Sequence, residues 1–242
     1  MATFVIVHGG WGGGWEWTPV ARLLRDRGHD VFTPTLTGLG ERAHLGGDIH
    51  LADHVEDVLA VFTFEEIRDV ILCGHSSSGM VITGAADRIP ELLKGLVYVD
   101  AVTPADGQAL SDLMPGEFVE LLEASARERS DGKIAYPAEL FLPEGSIPAE
   151  LRDPYVRRTR PQPLSTLTEP IRLTGAAAKV PSAFIRCVAE LDPEADLLGP
   201  SAAWAKEQGW FYRELDTLHD PQLLAPVATA QTLHELAGEF SS

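Results

Sequence analysis

The sequence predicts an α/β fold in which a mainly parallel sheet of about six strands has helices on both faces. Short apolar runs rich in β-branched residues alternate along the chain with segments of helical hydrophobic periodicity. This alternation is typical of doubly wound parallel sheets. A chain of 242 residues is long enough to bury the core that such a sheet needs. We therefore expect a single domain over residues 1–242 that contains one inserted segment.

The composition argues against several classes of partner. Hydrophobic residues make up 45% of the chain and charged residues 23%, as in ordinary globular proteins. The formal net charge of −17 argues against a nucleic-acid or anionic-membrane partner, because phosphate groups bind to basic surfaces. No apolar run approaches the ~20 residues of a membrane span, and the first residues lack the basic flank of a signal peptide.

Two cysteines, Cys73 and Cys187, lie within apolar runs and form no Cys-x-x-Cys pair. Buried thiols of this kind are typical of a reducing compartment. We expect a soluble, cytoplasmic protein that acts on a small molecule. The sequence contains no signal for or against a homodimer.

The first predicted strand, Phe4–Val7, leads into a glycine-rich loop, His8–Trp15. A dinucleotide site would need glycines at Gly-x-Gly-x-x-Gly spacing, but a tryptophan occupies the third position. The second strand, over residues 31–33, also lacks the acidic residue that would bind a ribose. The loop can instead supply an oxyanion hole, since a glycine amide can approach a substrate oxygen closely. By its position, the Gly10 amide is the best donor.

Two amphipathic helices are predicted next, over residues 18–27 and 51–62. His44, His50 and His54 lie close to the second helix, which raises the question of a metal site. The stretch has no His-Glu-x-x-His arrangement and is rich in aspartate and glutamate. This pattern favours a solvated polar face over a set of metal ligands.

The stretch Val70–Met80 combines an apolar strand, a turn of small residues and a second apolar segment. It matches a nucleophile elbow, Gly-x-Ser-x-Gly, with Ser76 at the apex of the turn. In such an elbow the serine hydroxyl is exposed above the sheet, and the amide of Ser77 points towards the reacting carbonyl group. Gly74 fills the first small position, whereas Ser78 occupies the second, where a positive φ would strain its backbone.

Three further strands are predicted over residues 96–100, 182–188 and 210–215. A final helix is predicted from Pro221 onwards. About eighty residues lie between the fourth and fifth strands, which is too long for a plain crossover. We therefore predict that residues 105–178 form a cap over the site, with helical structure near residues 117–128.

Residues that can carry chemistry follow the carboxyl ends of several predicted strands, where open parallel sheets bind ligands. A serine becomes an effective nucleophile when a base removes its proton and a third group orients that base. The order of serine, acid and histidine along the chain fits this arrangement. The residues expected to meet at this edge are Gly10, Ser76, Asp100, Glu190 and His219.

The identity of the acid is left open by the sequence. His219 is the expected base, because it follows the last strand and precedes the last helix. Glu190 follows the fifth strand, which is the usual place for the acid, and Asp100 ends the fourth strand. Both could reach the same imidazole, and Asp192 is a weaker third candidate.

These residues resemble the α/β-hydrolase superfamily, and in particular its small plant-esterase and hydroxynitrile-lyase group with their bacterial relatives. The resemblance implies a six-stranded α/β-hydrolase fold with a lid, and a triad of Ser76, His219 and an acid. It also implies oxyanion donors at Gly10 and Ser77, no cofactor, and cleavage of small esters through an acyl-enzyme. The stretches that support it are His8-Gly9-Gly10-Trp11, Gly74-His75-Ser76, the run from Leu96 to Ala101, and the run from Leu215 to Asp220.

Two departures from the group favour its esterases. Hydroxynitrile lyases of the group typically have a threonine where Gly9 lies here. They also have a lysine directly after the catalytic histidine, where this chain has Asp220. The leading hypothesis is therefore a serine esterase that acts on a small, fairly apolar substrate.

Two other departures, Ser78 at the elbow and Leu218 before the histidine, suggest alternatives. One alternative is a receptor-like binding module with weak catalysis. The other is a cofactor-free lyase or cyclase in which the histidine moves protons. Three consecutive serines also make Ser77 an alternative nucleophile, but only Ser76 keeps Gly74 at the first small position.

Overall fold

The computed structural model describes residues 1–129, 131–134, 147–189 and 196–241. In chain order its strands are β1 (Thr3–Val7), β2 (Asp30–Phe32), β3 (Val70–His75), β4 (Leu93–Val99), β5 (Lys133–Ile134), β6 (Gln162–Pro163), β7 (Ser182–Cys187) and β8 (Phe211–Leu215). Its α-helices are α1 (Thr18–Arg25), α2 (Leu51–Phe64), α3 (Gly79–Arg88), α4 (Gly116–Glu128), α5 (Ala149–Arg158), α6 (Ser165–Thr168), α7 (Gly199–Glu207), α8 (Pro221–Leu224) and α9 (Pro226–Glu239).

The main sheet has six strands in the order β2-β1-β3-β4-β7-β8. Every neighbouring pair in it is parallel. The strand order changes direction between β1 and β3, and such a switch point leaves a crevice at the carboxyl ends of the strands. The predicted six-stranded parallel α/β fold is confirmed, and its crevice lies beside the glycine-rich loop and the serine elbow.

Helices cover both faces of this sheet because alternate strand residues point to opposite sides. On one face, Val5, Leu72 and Tyr98 belong to a buried apolar cluster that also contains side chains of α2, α3 and α7. On the other face, Phe4 and Ile71 belong to a second cluster with side chains of α1 and α9. The two clusters hold the sheet as a rigid platform for the loops at its edge.

Most predicted elements are present with boundaries shifted by a few residues. The single final helix predicted from Pro221 is wrong, because the chain forms two helices there, α8 and α9. Ala225 has φ −137° and ψ 49°, which is not helical. Pro226 follows it and lacks the N–H that would continue the first helix, so the helix ends before it.

The segment between β4 and β7 contains α4, α5, α6 and a two-stranded antiparallel sheet of β5 and β6. The helix predicted over residues 117–128 is observed as α4, Gly116–Glu128. Residues of this segment contact the loop after β1, as described below. Among the described residues, no helix has both the length and the apolar composition needed to cross a membrane.

Candidate active site

Ser76 lies at the tip of a sharp turn that joins β3 to α3. Its φ is +56°, a value that non-glycine residues rarely adopt and that is typical of strained functional turns. Because β3 is buried along its whole length, the turn is held from below and the serine is lifted above the sheet edge. The elbow predicted from the sequence is therefore present as a backbone structure.

Close packing explains why the elbow contains Gly74 and Gly79. A Cβ atom at Gly74 would lie 2.9 Å from the carbonyl oxygen of Ser78, and one at Gly79 would lie 1.9 Å from that of Val102. Both distances are shorter than real contacts allow. The second position that must be a glycine is therefore Gly79, directly after Ser78.

The strain predicted at Ser78 does not occur. Ser78 has φ −71° and ψ −2°, an ordinary right-handed helical conformation. Its buried hydroxyl donates a hydrogen bond to the carbonyl of His8, so it joins the elbow to the glycine-rich loop. The positive φ of this turn falls on the nucleophile position itself. Leu218, the other departure from the group, does not have a positive φ either.

The imidazole of His219 lies between Ser76 and Asp100. Its Nε2 atom is 2.9 Å from Ser76 Oγ, and its Nδ1 atom is 2.7 Å from Asp100 Oδ2. Since a carboxylate can only accept, Nδ1 donates to Asp100, which leaves Nε2 free to accept the proton of the serine hydroxyl. Three residues from separate parts of the chain thus form one hydrogen-bonded chain.

Asp100 is held at the end of β4 with an unusual backbone, φ +42°. Its amide donates to the carbonyl of Ile185 on the neighbouring β7. Its Oδ1 atom accepts from Arg186 Nη1 at 2.5 Å and from the amide of Cys187 at 3.2 Å. The carboxylate is therefore fixed by partners on both of its oxygen atoms.

The buried charges shift the proton affinities of this chain in opposite directions. Burial alone would raise the pKa of Asp100, but the hydrogen bonds and positive charges of His219 and Arg186 lower it below its ordinary value. Burial alone would lower the pKa of His219, but its hydrogen bond to Asp100 and the negative charge there raise it. The carboxylate thus stays ionised and favours the protonated imidazole.

The glycine-rich loop is anchored by buried polar contacts. The amide of Leu36 donates to His8 Nε2 at 3.1 Å, so the proton of this imidazole is on Nδ1, which donates to the carbonyl of Gly9 at 2.7 Å. Burial lowers the pKa of His8 to about 3, which keeps the ring neutral. The loop continues through Trp11, whose φ is +61°.

Gly10 lies against the elbow. A Cβ atom at Gly10 would be 3.4 Å from Ser77 Oγ and 3.1 Å from Gln162 Oε1. The same Gln162 oxygen accepts a hydrogen bond from the amide of Trp11 at 2.8 Å. The two residues predicted as oxyanion donors are thus neighbours, and β6 of the inserted segment holds the loop in place.

A small cavity of about 30 Å³ lies over this constellation. Among the described residues of the inserted segment, Tyr155 of α5 alone contributes to its wall. Its hydroxyl donates to Asp220 Oδ1 at 3.1 Å. Asp220 is buried and also accepts from Gln222 at 3.0 Å. The residues that line the cavity are Gly9, Gly10, Trp11, His75, Ser76, Tyr155, His219 and Asp220.

Glu16 lies beneath this wall as a second buried carboxyl group. Burial and the negative charge of Asp220 raise the pKa of Glu16 well above its ordinary value. Its side chain occupies the space beside Gly12, where a Cβ atom would lie 1.9 Å from Glu16 Oε1. This environment favours the neutral form of Glu16.

His75, directly before the serine, supports His219 from below. Its Nε2 atom lies 2.8 Å from the carbonyl oxygen of His219, so it donates to that carbonyl and fixes the backbone of the base. Burial lowers the pKa of His75 to about 4. The ring is therefore a neutral structural donor in the physiological range.

The structure brings together most of the residues that the sequence singled out. Ser76, His219 and Asp100 are in direct contact, and Gly10 lies beside Ser77. The histidine is bonded to the hydroxyl of Ser76, the position favoured over Ser77. Glu190 and Asp192, the other two candidate acids, lie outside the described residues.

The three histidines near α2 have separate roles. His54 is buried, not on a solvated face as predicted, and its Nε2 atom bonds the carbonyl of Thr37 at 3.0 Å, which satisfies the buried ring. His50 pairs with Glu169 at 2.5 Å, and His44 bonds the carbonyl of Glu41. In the part of the chain that the structure describes, no group of three or more His, Cys, Asp or Glu residues could hold a metal ion.

Sequence reasoning did not single out Arg186, Gln162 or Tyr155. For Arg186 a signal was available, since a charged side chain within a buried strand must have a partner. Gln162 and Tyr155 gave no such signal, because their contacts depend on how the inserted segment folds over the sheet. These three residues link the candidate site to β7 and to the inserted segment.

Comparisons with known proteins agree with the fold. A model of the alpha/beta hydrolase family matches residues 4–236. A carbendazim hydrolyzing esterase of Nocardioides sp. (strain SG-4G) is 39% identical over 98% of this chain and 100% of its own length. A pyrethroid hydrolase of Sphingobium wenxiniae is 27% identical over 78% of this chain and 71% of its own length.

A solved structure has a similar fold. It is that of an extracellular alpha/beta-hydrolase from a Paenibacillus species, which superposes with a TM-score of 0.86 over 97% of this chain and 98% of that one, at 23% identity. At this identity the likeness concerns the fold alone, whereas the family match and the full-length relative extend to the kind of enzyme. The chain belongs to the α/β-hydrolase family and is an enzyme of its esterase group.

Proposed function

We propose that this enzyme cleaves a small carboxyl ester through an acyl-enzyme, with Ser76 as nucleophile, His219 as base and Asp100 as the acid that orients the base. The observation that carries the proposal is the hydrogen-bonded chain from Ser76 Oγ through His219 to Asp100, with distances of 2.9 and 2.7 Å. The hydrogen bond from His219 Nδ1 to Asp100 supports this assignment, because it leaves the unprotonated Nε2 atom facing the serine.

In the first half of the reaction, His219 Nε2 takes the hydroxyl proton as Ser76 Oγ attacks the ester carbon. The amides of Gly10 and Ser77 donate to the oxyanion that forms. The protonated imidazole is stabilised by Asp100 and then gives its proton to the leaving alcohol, so that an acyl-enzyme remains on Ser76. In the second half, His219 activates a water molecule, which releases the acid and restores the serine. No step requires a cofactor.

The lining of the cavity and the names of the relatives suggest which substrates to test. The rings of Trp11 and Tyr155 line the cavity beside Ser76 and His219, so the apolar part of a small ester could pack against them. The relative from Nocardioides is named for hydrolysis of carbendazim, and other relatives are named as putative methylesterases. Carbendazim and short-chain methyl esters are therefore the first substrates that we propose for testing.

We further propose that the segment 105–178 acts as the cap of this single domain. Tyr155 contributes to the wall of the cavity, and Gln162 holds the amide of Trp11. The amide of Arg160 donates to the carbonyl of Trp11 at 2.8 Å. A segment joined in this way to the loop after β1 would control both the access and the shape of the site.

The proposed function is tested with a fluorophosphonate probe, followed by peptide mapping and by turnover of p-nitrophenyl acetate. We expect one adduct on Ser76 and a loss of turnover of about 10³-fold or more in Ser76→Ala and His219→Ala. His44→Ala replaces an exposed histidine that does not line the cavity, so this variant should keep wild-type turnover. An adduct on Ser77, or full turnover in both triad variants, would refute the assignment.

The binding-module and lyase hypotheses were suggested by Ser78 and Leu218. Ser78 has an unstrained backbone, and Leu218 is not among the described residues with a positive φ, so neither substitution distorts the elbow or the histidine loop. Product analysis separates these functions from hydrolysis. An esterase releases one acid and one alcohol per ester consumed, whereas a lyase or cyclase would release no acid.

A further inference from the structure

Arg186 is a buried charge that the proposed catalytic steps do not use. It lies in β7 and is only 4% exposed, in a strand whose other residues are apolar or small. A cation in such a place is stable only when it is paired and hydrogen-bonded. Its partners are two carboxylates, Asp100 and Asp196.

Asp100 uses one carboxylate oxygen atom for His219 and the other for Arg186. Oδ2 accepts from His219 Nδ1 at 2.7 Å. Oδ1 accepts from Arg186 Nη1 at 2.5 Å and from the amide of Cys187 at 3.2 Å. With Oδ1 fixed in this way, the carboxylate cannot rotate, and only one of its oxygen atoms is presented to the imidazole.

We propose that Arg186 is a positioning residue that holds Asp100 in register with His219 and sets the pH range in which His219 acts as a neutral base. This inference rests on the proposed function, because it assigns Asp100 as the triad acid. Arg186 touches neither Ser76 nor the cavity, so it acts through Asp100. The guanidinium keeps its proton at every working pH, so its charge is a constant of the site.

The sign of the effect follows from the charges around His219. Asp100 and Asp220 favour the protonated imidazole, whereas the positive charge of Arg186 disfavours it. His75 faces the same ring, with its centroid at 4.8 Å, and is neutral. Removal of the Arg186 charge should therefore raise the pKa of His219, so that activity is lost at a higher pH as the solution is acidified.

The groups around Arg186 allow a second test, in which the pKa of His219 should change in the opposite direction. Asp196 bonds the second arm of the guanidinium and partly neutralises it. Tyr212 of β8 is close enough to feel its charge, as is Cys187 in the same strand, and burial raises the pKa of both groups. Without the negative charge of Asp196, the positive charge of Arg186 is less neutralised and acts more strongly on Asp100 and His219. The pKa of His219 should then fall.

The test measures kcat/KM for p-nitrophenyl acetate and the rate of fluorophosphonate labelling between pH 5 and 9. For Arg186→Gln we expect the acidic limb of both profiles to move up by about one pH unit. Arg186→Lys keeps the charge, so its acidic limb should stay at the wild-type position. Its plateau rate should be lower, since one ammonium group cannot span two carboxylates.

Asp196→Asn is the second arm, and its acidic limb should move to lower pH. This variant leaves the Arg186–Asp100 pair in place, so it tests the inference even where Arg186→Gln does not fold. Arg213→Gln is the matched control. It removes an arginine from the adjacent strand β8, where Arg213 pairs with Glu239 of α9. Its acidic limb should not move.

A folded Arg186→Gln enzyme with lower rates at all pH values and an unmoved acidic limb would overturn the inference, since a purely structural role predicts that result. An upward movement of the limb in Asp196→Asn would also overturn it. Asp100→Asn separates this failure from failure of the proposed function. If Asp100→Asn keeps the wild-type rate, the assigned triad itself is wrong.

Discussion

Three residues of the candidate site have left-handed backbones that only glycine adopts readily: Trp11, Ser76 and Asp100, with φ of +61°, +56° and +42°. Each follows the carboxyl end of a strand of the main sheet. A positive φ in a non-glycine residue costs free energy of order 1–3 kcal/mol and persists where the surroundings enforce it. The same buried sheet therefore holds the glycine-rich loop, the serine elbow and the residue after β4 in unusual conformations.

At the residue scale we predict that Asp100→Asn abolishes most of the activity. An asparagine can present its NH₂ group to His219 Nδ1, which would favour the wrong tautomer, and it cannot stabilise the imidazolium. We expect kcat/KM to fall by about 10²–10⁴-fold. The matched variant is Glu190→Gln, which changes the other acid predicted from the sequence and should keep most of the rate. The opposite result, with activity lost only in Glu190→Gln, would assign the acid to residue 190.

At the scale of elements, the backbone that follows β4 packs against the serine elbow and holds its shape. The chain after Asp100 turns back, so that the amide of Val102 donates to the carbonyl of Ser76 at 3.1 Å. The carbonyl of Val102 lies against the Cα atom of Gly79. The start of α3 is thereby locked to the end of β4. One consequence is that Ser76 and Asp100 keep a fixed separation.

We predict that Gly79→Ala destabilises the protein by about 1–3 kcal/mol or more, because its methyl group would overlap the Val102 carbonyl. The elbow would have to move, so labelling of Ser76 should also slow. Gly238→Ala, in α9, is the control, since no atom lies within 4 Å of the added methyl group. It should be neutral or stabilise by up to about 1 kcal/mol through helix propensity. Urea unfolding measures both, and equal effects would contradict the steric explanation.

At the scale of the whole molecule, buried neutral imidazoles link stability to pH. Burial lowers the pKa of His8 to about 3 and that of His75 to about 4. In the unfolded chain both rings have a pKa near 6.5. Below that pH the unfolded state binds protons that the native state excludes, so stability falls as the pH falls through and below about 6.5.

For His8 we predict a loss of about 2 kcal/mol in the free energy of unfolding between pH 7 and pH 5, from the difference between a native pKa near 3 and an unfolded pKa near 6.5. His8→Gln removes the titrating group while its amide can still donate and accept. The loss over this pH interval should therefore be smaller by about 2 kcal/mol in His8→Gln than in the wild type. Urea unfolding at both pH values measures it. Identical pH dependence in the two proteins would contradict the prediction.

The local pattern of the chain was sufficient to predict the parallel sheet, the elbow at Ser76 and His219 after the last strand. Each of these depends on residues within a few positions of one another, such as an apolar run followed by small residues. The break before Pro226 was also visible as a proline, although its effect on the last helix was missed. The burial of His54 was not predictable, because its partner is the carbonyl of Thr37 in a separate loop.

The sequence left Glu190 and Asp100 as equal candidates for the acid, and tertiary contacts in the described residues bring Asp100 to His219. The distance between two strand ends depends on the order of strands in the sheet and on the turn that follows each strand. Neither is encoded in the residues next to the acid. The same reason applies to Arg186, Gln162 and Tyr155, whose partners lie 86, 151 and 65 positions away along the chain. Local chemistry was thus enough to predict Ser76 and His219, whereas the packing of distant segments determines which groups orient and surround them.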